Sequence, residues 1–294
     1  LYFFYKDKYS QHRYKCLRAN FSIQLCEEPC INPILKLYLY PLQMENNYPK
    51  RIFLEITYDG TNYFGWQRQP EFISVQQAIE EVLSKLYAEP VYIVGCGRTD
   101  TGVHANQYFM HFDAPKEREN LKFILQKMLP KDIGILKVHE VEPNAHARFD
   151  ATERTYWYFI DQEYDVFRRN QSWWYPLDEL DFESIYKACE LFTSYDNYIA
   201  LCRFNPELSN HLSKVSEAEW CYFKSEKRVI FKVKSNRYLR NQIRRMVGCL
   251  VDIGRGKLSC EELEDALKNG TELKYNKAAP PQGLFLWQIK YPYI

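Results

Sequence analysis

The chain has 294 residues, enough for one large domain or for two fused lobes with a substantial core. Its formal net charge of +1 excludes a polycation, so any affinity for nucleic acid requires local clusters of basic residues. Nine scattered cysteines without a CxxC pair indicate reduced thiols of a cytoplasmic protein rather than a disulfide framework or a zinc site. No stretch predicts a membrane span or a secretory signal.

The N-terminal segment differs in pattern from the rest of the chain. Residues 1–43 lack a clear hydrophobic period, and we treat them as an extension of unknown structure without an assigned role. Residues 51–58 alternate as in a β-strand, which ends at the turn Asp59-Gly60. Ser74 and Gln77 then predict a capping box at the start of an amphipathic helix.

The elements of the first half have a β-α-β-β-α-β order. A short strand ending at Val94 and another from Tyr108 flank a glycine-rich loop, and a second helix covers residues 123–129. A further strand covers residues 133–141. This order is typical of a ferredoxin-like unit, and we assign residues 44–152 to an N-terminal lobe that carries the glycine-rich loop.

The second half, residues 153–294, has the same character and predicts a second lobe with a basic helix. Its strands are predicted at residues 155–161, 216–223, 228–233 and 285–289, and its helices at residues 180–192, 238–253 and 261–267. Periodicity by itself therefore predicts an α+β protein with mainly antiparallel sheet.

The glycine-rich loop holds the residues best suited to chemistry. In residues 95–105, three glycines bracket Arg98 and Asp100. Glycine permits sharp turns and a close approach of backbone to a ligand. A guanidinium next to a carboxylate keeps it ionised and orients it, and such a carboxylate can act as a nucleophile or a base. The spacing fits a strand-to-strand turn with a surface ion pair equally well.

Several motifs succeed one another along the chain at residues 58–69, 97–105, 146–152, 154–158, 236–248 and 283–286. Together they resemble the TruA family of tRNA pseudouridine synthases, in the family's order and from about residue 50 to the C-terminus. The resemblance implies an α+β fold in which two ferredoxin-like lobes form a continuous, mainly antiparallel sheet with a central cleft.

The same resemblance implies an activity, namely the isomerisation of uridine to pseudouridine at positions 38–40 of the tRNA anticodon stem-loop. It implies no cofactor and no metal. It also implies a homodimer in which one tRNA contacts both subunits, with no membrane partner.

Three catalytic residues are implied by the resemblance: Asp100 as the carboxylate, Tyr156 as the active-site aromatic residue and Arg244 as the cation paired with Asp100. Arg98 competes with Arg244 for this ion pair, and the resemblance favours Arg244. Whether Asp100 adds to the base or assists cleavage at C1′ stays open. Tyr156 could stack under the flipped base and help to remove its C5 proton. Tyr156 and Tyr158 are expected to face the same side of their strand, and without the resemblance both would be interpreted as core aromatic residues.

The candidates for substrate binding are Arg98, Tyr63, Trp66, Arg148 and Arg240. Tyr63 and Trp66, together with Phe64, are candidates for lining an RNA cleft, and Arg148 could contact phosphate or brace the loop. On one helix, Arg240 and Arg244 would share a side. Nine basic residues face a single acidic one within residues 224–245, which fits either a phosphate track or a solvated face.

Residues 126–130 and 196–214 depart from the family's usual pattern. These departures motivate the alternative of a catalytically impaired RNA-binding relative. An unrelated carboxylate-dependent hydrolase would need a second acid near Asp100, and the loop supplies none.

Overall fold

The computed structural model describes residues 50–176, 180–275 and 277–294, and these belong to one unit, Asn47–Ile294. The predicted N-terminal extension, residues 1–43, lies outside the described residues. None of the helices in the described part of the chain combines the length and the apolar character that crossing a membrane requires.

The first half contains β1 (Lys50–Tyr58), α1 (Val75–Tyr87), β2 (Val94–Gly95), β3 (His104–Ala114), α2 (Leu121–Met128) and β4 (Ile133–Glu140). Its strands lie in the order β4-β1-β3-β2 with antiparallel neighbours, as in the predicted ferredoxin-like unit. The predicted capping box of α1 is only half present. Ser74 accepts a hydrogen bond from Gln77 N at 3.2 Å, but the Gln77 amide donates to Glu81 instead of returning to Ser74.

The second half contains β5 (Glu153–Asp161), β6 (Trp173–Trp174), α3 (Phe182–Ser194), β7 (Val215–Phe223), β8 (Arg228–Ser235), α4 (Gln242–Gly254), α5 (Cys260–Asn269) and β9 (Leu284–Lys290). The strands β9-β5-β8-β7 repeat the order of the first half, with antiparallel neighbours. Tyr156 and Tyr158 in β5 are both buried while Trp157 between them is only partly so, as expected for side chains that alternate across a strand.

The C-terminal strand joins the two halves. β9 pairs in parallel with β3 through Phe285 opposite His104, and antiparallel with β5 on its other side. The described strands therefore form one nine-stranded sheet, in which β2 and β6 are short branches. This sheet confirms the predicted mainly antiparallel α+β fold, and it brings the loop before β3 next to the second half.

Helix α4 begins four residues later than its apolar pattern predicts. Asn241 has a φ of 63°, in the left-handed region, and therefore cannot continue a helix toward Tyr238. The Gln242 side chain accepts a hydrogen bond from Leu239 N at 2.8 Å and closes this turn. Arg240 consequently lies in the turn before α4, and its predicted helical relation to Arg244 is wrong.

Candidate active site

The loop between β2 and β3 is held in place by buried side chains beneath it. The Tyr58 hydroxyl lies 2.8 Å from Thr99 Oγ1, and the Tyr108 hydroxyl donates to the Gly97 carbonyl at 2.6 Å. Trp66 N donates to the Thr99 carbonyl at 3.1 Å. These bonds come from three different segments and fix the backbone immediately before Asp100.

Gly65 allows the loop to pack this closely. Its φ of 81° lies in the left-handed region, and a Cβ at this position would lie 2.5 Å from Thr99 O and 3.2 Å from Asp100 C. A side chain there would displace the backbone of the loop. The glycine in the sequence motif at residues 58–69 therefore serves the position of Asp100.

Asp100 and Arg244 meet across the junction of the two halves. Arg244 Nη1 lies 3.4 Å from Asp100 Oδ2, and Arg244 Nε donates to the Ala279 carbonyl at 2.7 Å. Ala279 N donates in turn to the Arg244 carbonyl at 2.8 Å. The Asp100 side chain is 33% exposed and that of Arg244 is 17% exposed, so the carboxylate faces solvent more than its cation does.

Arg98, the other candidate for this ion pair, does not take part in it. Its side chain is exposed and makes no ion pair within the residues that the structure describes. Arg98 is therefore available to an external anion, and Arg244 is the cation in contact with Asp100.

A cleft of about 380 Å³ opens beside this pair, lined by Asp100, Thr101, Arg240, Asn241, Arg244 and Pro281. Its volume falls within the usual range of small-ligand sites. Two of its lining residues are cationic and one is anionic. The cleft therefore suits a ligand that has an anionic group for the arginines and another group that the Asp100 carboxylate can contact. Arg240 thus lies at the site although it is not part of α4.

Tyr156 is almost fully enclosed, with 8% of its surface exposed and its ring edge against Tyr238 at 5.1 Å. Burial raises the pKa of its phenol above the ordinary value, and the nearby Cys96 and Asp100 add to this effect while Arg154 opposes it. Tyr156 is therefore a neutral phenol at physiological pH. Unlike Asp100 and Arg244, Tyr156 is not among the residues that line the cleft.

Arg154 supports the site, a role that the sequence pattern did not predict. Its guanidinium donates to the carbonyls of Cys96 at 3.0 Å, Arg148 at 2.8 Å, Asn236 at 2.9 Å and Ala151 at 3.3 Å. It therefore ties the loop that carries Asp100 to two other segments. The sequence could have indicated this role, because Arg154 lies two positions before Tyr156 on β5 and alternate residues of a strand face the same side.

Contrary to the expectation from the sequence, Tyr63 and Trp66 do not line an open cleft. The structure places them in the core, where Tyr63 is 5% and Trp66 is 3% exposed. Trp66 stacks on Tyr108 with ring centroids 4.0 Å apart, and the Tyr63 hydroxyl donates to Asp132 at 2.6 Å. Because these large rings are buried beneath the loop, they support it and do not line a cleft. Phe64, which lies between them in sequence, is exposed.

Arg148 is exposed, and its two ends have different surroundings. Its carbonyl accepts the hydrogen bond from Arg154, whereas its guanidinium lies over the Phe149 ring at 5.7 Å. The backbone of Arg148 therefore braces the loop, and its charge faces solvent.

The basic segment at residues 224–245 is partly neutralised by acidic residues from elsewhere. Three ion pairs do this: Lys227 with Glu163, Arg228 with Asp161 and Lys234 with Glu217. The sequence count of nine to one therefore overstates the free charge of this segment. Arg240 and Arg244 remain at the cleft.

Known proteins are similar in sequence to this chain along most of its length. The profile of the tRNA pseudouridine synthase family matches residues 56–150 and 191–292, which include Asp100 and Arg244. The tRNA pseudouridine synthase A of Parabacteroides distasonis is 36% identical over 247 residues, which cover 83% of this chain and 96% of the relative. Those of Bacteroides fragilis and Exiguobacterium sibiricum are 35% and 33% identical, and each alignment covers 83% of this chain and 97% of the relative.

Proposed function

The chain belongs to the tRNA pseudouridine synthase family and is an isomerase of tRNA uridine, and from this premise we propose that Asp100 is its catalytic carboxylate. The observation that carries the proposal is the contact between Asp100 and Arg244, 3.4 Å apart although 144 positions separate them in sequence. A carboxylate from a glycine-rich loop and a cation from a distant helix thus converge on one open cleft.

The reaction explains why such a carboxylate is needed. The N1–C1′ bond of uridine breaks, the base turns over, a C5–C1′ bond forms, and C5 loses a proton while N1 ends protonated. Asp100 can act on the base or on C1′, and both routes require its ionised form. Arg244 balances and orients that charge, and its own bond to Ala279 keeps it in place.

Tyr156 fits a different task from Asp100. A phenol whose pKa is raised by burial is neutral and therefore a weak base. We assign it to packing against the extruded base through the 8% of its surface that stays exposed, and to no proton transfer. The carboxylate of Asp100 is the better acceptor for the C5 proton among the groups that line the cleft.

The proposed substrate is the anticodon stem-loop, at uridines 38–40, and the proposed assembly is a cytoplasmic homodimer in which one tRNA contacts both subunits. The target base must leave its stack, at a cost of a few kcal/mol. Exposed Arg98 and Arg240 beside Asp100 are suited to holding the displaced backbone through its phosphates. We retain residues 44–152 and 153–294 as the two lobes that contribute to this site.

The test compares Asp100→Asn with wild type on transcribed tRNA. We expect Asp100→Asn to form no pseudouridine because an amide is neither a nucleophile nor a base, while its affinity for tRNA stays unchanged. Asp265→Asn, an exposed carboxylate on α5, is the matched control and should keep full activity. Mapping pseudouridines in cells with and without the protein tests positions 38–40.

Two outcomes would contradict the proposal. One is pseudouridine formation by Asp100→Asn at a rate near that of wild type. The other is a wild-type protein that binds tRNA but modifies no uridine in it, which would support the RNA-binding alternative.

A further inference from the structure

The turn at residues 146–150 presents a large apolar ring to solvent. Phe149 is 74% exposed, and the exposed guanidinium of the neighbouring Arg148 lies over its ring at 5.7 Å. Folding normally buries a phenylalanine, since removing its apolar surface from water is favourable. An exposed aromatic ring combined with an arginine is the arrangement that proteins use to stack on unpaired nucleobases.

The turn is held in shape by its own hydrogen bonds. His146 Nδ1 accepts hydrogen bonds from Arg148 N at 3.1 Å and from Phe149 N at 3.2 Å. Asp150 closes the turn by accepting from His146 N at 2.7 Å and donating its own N–H to the His146 carbonyl at 3.1 Å. The ring of Phe149 rests against the His146 ring, with centroids 4.3 Å apart, and extends from this hydrogen-bonded backbone, which lowers the entropic cost of binding.

The turn also lies beside the catalytic loop. A single atom, Arg154 Nη2, donates to both the Cys96 carbonyl and the Arg148 carbonyl, at 3.0 Å and 2.8 Å. Cys96 begins the loop that carries Arg98 and Asp100. Within the described residues, neither Arg98 nor Arg148 forms an ion pair with an acidic side chain. Two exposed arginines therefore lie on neighbouring segments near Phe149, and the turn also contributes Asp150 to a pocket with Glu140 and Glu142.

We propose that Phe149 and Arg148 form a stacking site for an unpaired nucleobase of the tRNA next to the extruded uridine. Phe149 supplies the stacking surface, and Arg148 pairs with the adjacent phosphate. This inference rests on the proposed function, because it places the base relative to Asp100. The two uncompensated cations favour RNA over a protein partner at this surface, since a phosphate backbone supplies their counter-charge.

The experiment measures tRNA affinity, KM and kcat for three variants of the full chain: Phe149→Ala, Phe149→Leu and Phe149→Trp. We expect Phe149→Ala and Phe149→Leu to raise Kd and KM at least about fivefold, with kcat little changed, because one base loses its stacking partner. Phe149→Trp should keep the tRNA affinity of the wild-type protein. Phe167→Ala, which removes a ring that is 90% exposed on another loop, should have no effect.

Several results would overturn the inference. Affinity of Phe149→Ala equal to that of wild type would do so, as would equal affinities of Phe149→Leu and Phe149→Trp. A changed monomer–dimer equilibrium with unchanged tRNA affinity would show that the surface binds a second copy instead. Because tRNA affinity is measured without turnover, an inactive wild-type protein would contradict the proposed function separately from the role of Phe149.

Discussion

At the scale of single residues, Arg244 and Arg245 show how neighbouring cations in one helix acquire different roles. Arg244 reaches Asp100 and is fixed by the Ala279 carbonyl, so its charge acts at the cleft. Arg245 is rotated by about 100° around the helix axis, and its Nε is buried without a hydrogen-bond partner in the described structure. The arginine-rich sequence of α4 does not distinguish them.

Removing Arg244 should therefore harm catalysis far more than removing Arg245. We expect Arg244→Met to lower kcat/KM about 100-fold or more, since it removes the charge that balances and orients Asp100. Arg245→Met should lower kcat/KM less than about tenfold, because it weakens only the general electrostatic attraction between the protein and the RNA phosphates. The check is steady-state kinetics on tRNA, and equal losses would show that both arginines only contribute to a basic surface.

At the scale of elements, the position of the loop that carries Asp100 depends on close backbone contact with the segment after β1. Gly65 is the point of contact, with a left-handed φ and Thr99 O in the space where a Cβ would lie. Gly256, at the end of α4, also has a positive φ of 64°, but nothing lies within 4 Å of its Cβ position. Both positions require a residue that tolerates a positive φ, but only Gly65 also requires the absence of a Cβ because of the adjacent backbone.

Gly65→Ala should accordingly cost more than Gly256→Ala. Both substitutions place alanine in the left-handed region, which costs about 1–2 kcal/mol. Only Gly65→Ala also displaces the loop, so we expect a larger loss of unfolding free energy and a lower kcat. Urea unfolding and single-turnover kinetics measure the two effects. Equal losses from the two variants would mean that the loop yields without consequence for Asp100.

At the scale of the whole molecule, a buried histidine links stability to pH. His111 in β3 is 5% exposed, stacks on Phe53 at 5.6 Å, and accepts a hydrogen bond from Ala147 N at Nδ1. Burial lowers the pKa of His111 to about 4, and the charge of Arg51 and the neighbouring His146 contribute to this lowering. The folded protein therefore keeps this ring neutral at pH values where the unfolded chain protonates it.

Stability should fall as the pH drops from about 6.5 toward 4. The unfolded state binds one more proton than the folded state in this window, so His111 should reduce the unfolding free energy at pH 4 by ~3 kcal/mol relative to pH 7. Replacing it by glutamine, which can still accept the bond from Ala147, should remove this slope. Urea unfolding at pH 4.5, 5.5 and 7 measures it, and parallel curves for both proteins would refute the assignment.

Local pattern was sufficient for much of this protein. Alternation predicted β1 and β5, apolar spacing predicted α1 and α3, and the two ferredoxin-like orders came from the succession of elements. The glycine-framed motif also drew attention to Asp100. These features are set by residues within a few positions of one another, where backbone sterics and hydrophobic periodicity act directly.

The family resemblance paired Arg244 with Asp100, but only the tertiary structure decided which other distant residues lie at the site and which lie beneath it. It buried Tyr63 and Trp66 beneath the loop, turned Arg240 out of α4, and made Arg154 the link between three segments. It also inserted β9 between β3 and β5, which brings Arg244 to Asp100. Such pairings depend on sheet order and packing between segments far apart in sequence, and no short-range period in the chain encodes them.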